Sequence, residues 1–180
     1  MIGVVMEQRP QIMARAAAGD AQAFALLIEP LLGPAYRLAA VMLADRSTAE
    51  DAVQEASIKA WRKLEQLRGD VGSLRPWFLS IVANECRMFR RHRWWSVLKV
   101  AEVSPIPAAG GQFDETSTDL KTALLRLSPE ERLPLVLHFY LDLPLDEVAR
   151  TLGVSPAAAK SRIYRTARKL RSDLTPEEVF

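Results

Sequence analysis

The sequence predicts an all-α protein made of two small helical domains joined by a flexible linker. Three observations carry this. From Pro10 onward, apolar residues recur at three- and four-residue spacing, the period of helices with one buried face. Strand signals are absent: there is no sustained alternation and no Asn-Gly or Asp-Gly hairpin turn. Between the two helical stretches, residues 100–118 hold Pro105, Pro107, Gly110 and Gly111 and neither Lys nor Arg. Extended, such a segment reaches on the order of 60 Å, enough for two domains, 10–99 and 119–174, to reach separated targets. A chain of 180 residues, 49% apolar, supplies a modest core to each.

Net charge is only +2, but it is unevenly placed. Acids gather at Asp45–Glu55 and Asp114–Glu115, and bases at Arg87–Lys99 and Lys160–Arg171, which points to separate anionic and cationic partner surfaces. The single cysteine, Cys86, excludes an internal disulfide and falls on an apolar stripe, as a core thiol would. Neither His92 nor His138 has a Cys or carboxylate at ligand spacing, so no metal site is expected. No nucleophile, base and orienter can be assembled, so neither an enzyme nor a cofactor is expected. No apolar run approaches a membrane span and no signal-peptide pattern opens the chain, so a reduced, cytoplasmic protein without membrane insertion is expected.

In order, Met1–Arg9 shows no period and is expected to be loose. Asp20 is a candidate N-cap for a helix over residues 21–28, and Pro30, Gly33 and Pro34 are expected to break the chain before a second helix near 35–44. Ser47-Thr48-Ala49-Glu50 reads as a capping box opening a helix to about Leu67. Its buried stripe is Ala49, Val53, Ala56, Ala60 and Leu64. Opposite lie Asp51, Gln54, Glu55, Ile58 and Arg62, with Trp61 on the flank. An isoleucine centred among acids suits a docking surface with an apolar centre and charged rim; the alternative is a solvated face with one stray isoleucine.

Arg68 to Ser73 is a turn-rich loop, after which Pro76 starts a further helix. On it Phe78, Val82, Cys86 and Phe89 form a core stripe, while Trp77, Asn84, Arg87 and Arg91 share the other side. From Arg87 to Lys99 there are five Lys or Arg and no acid, interleaved with Trp94 and Trp95. Cations for phosphates beside aromatics for stacking suit an unstacked nucleic-acid strand. A solvated basic face, with tryptophans in the core or at a membrane interface, is the alternative.

Past the linker, Leu120, Leu124, Leu125 and Leu127 form an inward stripe. Ser128-Pro129-Glu130-Glu131 is a second capping box, and Pro134 is expected to bend the helix that follows without ending it. Pro144 begins a short helix ended by Gly153, and Val154-Ser155-Pro156 starts the last one, to about Arg171. Val148, Ala149 and Leu152 facing Ala159, Ile163, Thr166 and Leu170 make a helix-turn-helix. Outward lie Ala157, Lys160, Ser161, Tyr164, Arg165 and Arg168, a slim polar start for the major groove followed by bases for phosphates. A membrane or partner groove is the other reading of a basic amphipathic helix.

Taken together, GDAQAF (19–24), AEDAVQEASIKAW (49–61), WFLSIVANECR (77–87) and LPLDEVARTLGVSPAAAKSRIYRTARKL (143–170) resemble bacterial RNA polymerase sigma factors of the small extracytoplasmic-function group. The resemblance implies a region 2 helical bundle and a region 4 helix-turn-helix in a non-enzymatic transcription initiation factor. It implies that Asp51, Gln54 and Glu55, beside Ile58 and Trp61, meet the clamp helices of the polymerase's largest subunit, and that region 4 meets the flap of the second. The loop from Arg68 to Arg75 matches the element that pockets a base flipped from the −10 element, Asn84 a reader of that element, and Trp77 a brace for the melted edge. Lys160, Ser161, Tyr164 and Arg165 match positions facing the −35 element. An anti-sigma factor is the further partner implied. Met88, Ala157–Ala159 and His138 depart from the pattern. The chain ends soon after Arg171, so no appended regulatory domain is expected. Two rival readings are a dimeric helix-turn-helix regulator of duplex DNA and a sigma-like decoy for an anti-sigma factor.

Overall fold

A computed structural model describes residues 2–67, 71–99, 123–124 and 126–173, with side chains described over 10–67, 72–92, 123–124 and 126–171. Helix α1 spans Ile2–Ala17. The chain is thus helical ahead of Pro10, where a loose segment was expected. Helix α2 spans Ala21–Leu43, capped by Asp20, whose carboxylate accepts from the Ala23 N–H at 3.0 Å.

Two corrections fall on α2. It runs unbroken through Pro30 and Pro34, where an interruption was expected. Each proline removes one N–H from the ladder and crowds the carbonyl four residues back. Those carbonyls belong to Leu26 and Pro30, both exposed, so the disturbed side of the helix is the solvent side. Ala23, Leu27, Ile28, Ala35, Leu38, Ala39 and Met42 stay buried on the other. Burial of that face outweighs the two missing hydrogen bonds. Continuity also makes α2 long and apolar enough, by length and composition, to cross a bilayer, against the expectation that no run approaches such length. Here its apolar face is core.

Helix α3 spans Arg46–Lys63 and passes into a 3₁₀ turn, Leu64–Gln66. Its cap is Asp45, not Ser47. Asp45 has extended backbone and accepts from the Thr48 N–H at 2.8 Å and from the Thr48 hydroxyl. That places Ser47 inside the first turn and leaves Glu50 to pair with Arg46 one turn back, at 3.2 Å. After a second 3₁₀ turn, Val71–Ser73, helix α4 spans Leu74–Lys99.

Of the second domain's first stripe, Leu127 is buried and Leu124 half-buried; Leu120 and Leu125 lie outside the described residues. Helix α5 spans Pro129–Leu135 and begins with the expected capping box: Ser128 and Glu131 bond each other reciprocally, with proline at the first position. Past Pro134 the helix continues by widening into a π-helical turn, Val136–Tyr140. Helix α6 spans Leu145–Leu152, and Gly153, at φ +65°, closes it by donating to the Ala149 and Arg150 carbonyls. Helix α7 spans Pro156–Asp173.

The two parts share one apolar core. Phe78, Leu79, Val82 and Cys86 of α4 join a continuous cluster with Leu133, Leu137, Leu143, Val148 and Ile163 of the second part. A smaller cluster, Ala16, Ala23, Leu27, Leu64 and Leu74, seats α1 on α2. Arg132 clamps the two parts together. Its buried guanidinium donates to the Leu124 and Leu127 carbonyls at 2.9 and 3.0 Å and to the Val41 carbonyl near the end of α2 at 2.5 Å.

Candidate nucleic-acid interface and docking face

Alanines build the docking face from below. Ala49, Ala52, Ala56 and Ala60 of α3 are fully buried, which lets α3 lie close on its neighbours and turns the opposite residues outward. Asp51, Gln54 and Glu55 are exposed, and Ile58 among them is 37% exposed. Trp61 is half-buried; its ring meets Phe24 of α2 edge-on, centroids 5.0 Å apart, so only part of it fronts the surface. From the inner side, Lys59 reaches Glu85 of α4 at 2.5 Å, fixing α3 on α4. Glu85 is 6% exposed and was missed in the sequence. The available signal was an acid three residues after Val82 and four before Phe89, beside the apolar stripe.

Helix α4 carries the cationic side. Phe78, Val82 and Cys86 of its stripe are buried and Phe89 is half-buried, and burial pushes the Cys86 thiol up to about 12, which leaves it an inert core group. Asn84 and Arg91 are exposed, and with Arg87, Met88, Arg90 and Glu130 they line an open cleft of about 590 Å³. Arg87 donates from Nη1 to Asn84 Oδ1 at 2.7 Å, and from Nε and Nη2 to the Glu130 carboxylate at 2.8 and 3.0 Å. That contact raises the arginine's pKa and lowers that of the glutamate.

Three candidates stand differently from a plain outward face. Trp77 is half-buried and packs against both apolar clusters, because it lies where α1, α2 and α4 converge. Arg75 donates to the Leu141 carbonyl at 2.7 Å and stands 3.9 Å from Glu147 of α6, so it faces the second domain. Glu147 Oε2 is buried without a hydrogen-bond partner among the described residues, and Arg75 is the charge that offsets it. Arg68 lies outside the described residues, as do the side chains of Trp94 and Trp95.

In the second part, Ala159, Ile163 and Thr166 of α7 are buried, as are Val148 and Ala149 of α6, while Leu152 and Leu170 are half-buried. The remaining face of α7 turns Lys160, Ser161, Tyr164, Arg165 and Arg168 to solvent together. Lys160 Nζ stands 5.9 Å from the centre of the Tyr164 ring, itself 62% exposed. Ser155 caps the helix by accepting from the Ala158 N–H at 3.2 Å. His138 is spent on structure: Nδ1 donates to the Leu143 carbonyl at 2.9 Å, and the ring packs edge-on against Phe139. Glu130 and Arg132 were also missed. For Arg132 the signal was a lone cation directly before Leu133, Leu135, Val136 and Leu137.

Comparison with known proteins fits this layout. Residues 27–96 match the family model for Sigma-70 region 2, and residues 117–170 that for Sigma-70, region 4. The chain is 29% identical over 144 residues to the RNA polymerase sigma factor SigV of Bacillus subtilis, covering 80% of this chain and 86% of that one. It is 30% identical over 161 residues to the ECF RNA polymerase sigma factor SigM of Mycobacterium tuberculosis, covering 89% and 81%. The fold is similar to that of the sigma factor RpoE in complex with the anti-sigma factor NepR from Bartonella quintana. There the TM-score is 0.67 at 25% identity, over 85% of this chain and 97% of that one. With both regions matched in order and that identity sustained along most of the chain, the protein belongs to the extracytoplasmic-function group of the sigma-70 family, the sigma factors of transcription initiation.

Proposed function

We propose that this sigma factor divides its work between two surfaces of region 2 and one of region 4. The acid-rimmed face of α3, Asp51, Gln54, Glu55 and Ile58 with the edge of Trp61, docks on core RNA polymerase at the clamp helices of its largest subunit. The cationic side of α4, Asn84, Arg87 and Arg91 with Trp77 and the Arg68–Arg75 loop, traps unstacked bases of the −10 strand. Lys160, Ser161, Tyr164, Arg165 and Arg168 of α7 hold the −35 duplex while region 4 rests on the flap of the second subunit. Domain limits of 10–99 and 119–174 suit this division. The factor itself catalyses nothing and acts in the cytoplasm, and an anti-sigma factor is a fitting regulator.

The observation that carries the reading is the juxtaposition on region 2. An exposed isoleucine among acids lies on one helix, a row of cations on the next, and a part-buried Lys59–Glu85 pair locks the two together. Acids repel a phosphate backbone and suit a protein partner; the cations do the reverse. Melting is favoured where a flipped base regains stacking and hydrogen bonds in protein, and stacking contributes on the order of 1–3 kcal/mol per base. Each domain offers few contacts alone, so tethering both to one polymerase supplies the avidity.

Run-off transcription with purified core enzyme on a promoter library tests the whole. The double charge reversal D51R/E55R is expected to cut core binding by tenfold or more, on the order of 1.4 kcal/mol or above, with an unchanged circular dichroism spectrum. Unchanged core affinity removes the docking assignment. A dimer that footprints duplex DNA alone, without effect on core enzyme, favours a helix-turn-helix regulator instead.

A further inference from the structure

The guanidinium at the centre of the proposed strand-binding side is held by a carboxylate from the other domain. Glu130, in the first turn of α5, takes Arg87 by two roughly parallel bonds, 2.8 Å from Nε and 3.0 Å from Nη2. This is the fork with which arginine grips a carboxylate or a phosphate. With Nη1 on Asn84 at 2.7 Å, every nitrogen of the Arg87 guanidinium is engaged. Glu130 sits in the cleft lined by Asn84, Met88, Arg90 and Arg91, and the charges of Arg90 and Arg162 act on it too.

The fold of α5 does not need this contact, since Ser128 and Glu131 cap that helix by themselves. Nor is the pair sealed. The Arg87 side chain is 36% exposed and that of Glu130 60%, so an incoming anion reaches the same nitrogens once the carboxylate leaves.

We infer that Glu130 is a built-in competitor for nucleic acid, seated on Arg87 where a strand phosphate or base edge would bind in the proposed function. The inference rests on the strand-binding role proposed for α4. While region 4 lies on region 2, the acid neutralises Arg87 and occupies the donors that keep company with Asn84. Apparent affinity for single strands then falls to the intrinsic affinity multiplied by the fraction of chains in which the cleft is unoccupied. When region 4 is drawn away, Glu130 leaves with it and the cleft opens to DNA. The free factor is thereby kept off stray single strands, and one movement both places region 4 and uncovers region 2.

Fluorescence anisotropy of the full chain with labelled single-stranded DNA of random sequence, about 15 nucleotides long, tests this. E130Q keeps size and polarity but removes the charge. The free chain carrying it is expected to bind about two- to fivefold more tightly, the range an exposed ion pair supports. The shorter E130D, charge kept but drawn back, is expected to fall between E130Q and wild type. R87A is expected to weaken binding, and E130Q added to R87A to change nothing further. With core polymerase present, E130Q and wild type are expected to open the same promoter equally.

Equal affinity of wild type and E130Q, while R87A still weakens binding, overturns the competitor and leaves the α4 role standing. So does a gain from E130Q that persists without Arg87, which would be a general charge effect. So does undetectable binding by both free forms while the holoenzyme still distinguishes R87A. An R87A chain indistinguishable from wild type both free and in holoenzyme removes the α4 role, and the competitor with it.

Discussion

Glu131 illustrates how much one side chain is asked to do. Its carboxylate accepts from Lys169 Nζ at 2.7 Å, from the Ser128 hydroxyl at 2.7 Å and from the Ser128 N–H at 2.9 Å. These contacts, Lys169 foremost, hold its pKa down to about 2 from an ordinary 4.5. The folded value lies below the unfolded one, so the unfolded chain takes up the proton first as the pH falls. Stabilisation by this group is therefore complete above about pH 4.5 and is lost as the pH falls towards 2. E131Q is expected to lower the thermal midpoint at neutral pH, and its gap from wild type to close progressively below about pH 4.5. A gap that stays constant down to the acid limit of the fold would show that the charge is immaterial. The Ser128 half of this arrangement is legible in four consecutive residues; the Lys169 half is not, because its partner arrives from the last helix.

Among the elements, α3 shows where reading a motif goes astray. Ser47 to Glu50 has the spacing of a capping box, yet Asp45 two residues earlier forms the cap. Both are local solutions for the unpaired N–H groups of a first turn, and the earlier one adds two residues of helix. D45A is expected to destabilise region 2 by about 1 kcal/mol in urea titrations, and S47A by a few tenths at most. The reverse order would return the cap to Ser47. In α2 the same contest between local signal and tertiary packing was decided by burial. Pro30 and Pro34 predict a break from chain stiffness alone, but seven apolar side chains on the opposite side hold the helix together across it.

At the scale of the molecule, the second domain packs directly on region 2. Leu133, Leu137 and Val148 extend the core of region 2, and Arg132 ties the end of α2 to the residues before α5. Replacing a buried guanidinium by an apolar chain leaves three carbonyls without these donors, at about 1–3 kcal/mol for each one left unsatisfied. R132M is therefore expected to split a single calorimetric transition into two, one per domain, and to increase the interdomain distance measured by fluorescence transfer. One unchanged transition would mean that apolar contact alone couples the parts. This closed arrangement is also what brings Glu130 to Arg87.

What the amino-acid order determined by itself is everything with a short reach. Helical period set the fold class, caps and glycine marked most ends, and the outward residues of α3 and α7 follow from turning a stripe of alanine or isoleucine inward. What the tertiary structure alone decided is which of those outward groups already have company. Arg87 meets Glu130 across 43 positions, Arg75 meets the Leu141 carbonyl across 66, and Arg132 meets that of Val41 across 91. The reason is physical: periodicity reports which face of a helix avoids water, whereas an ion pair or a borrowed carbonyl depends on where a distant helix comes to lie. That placement comes from the packing of both domains at once.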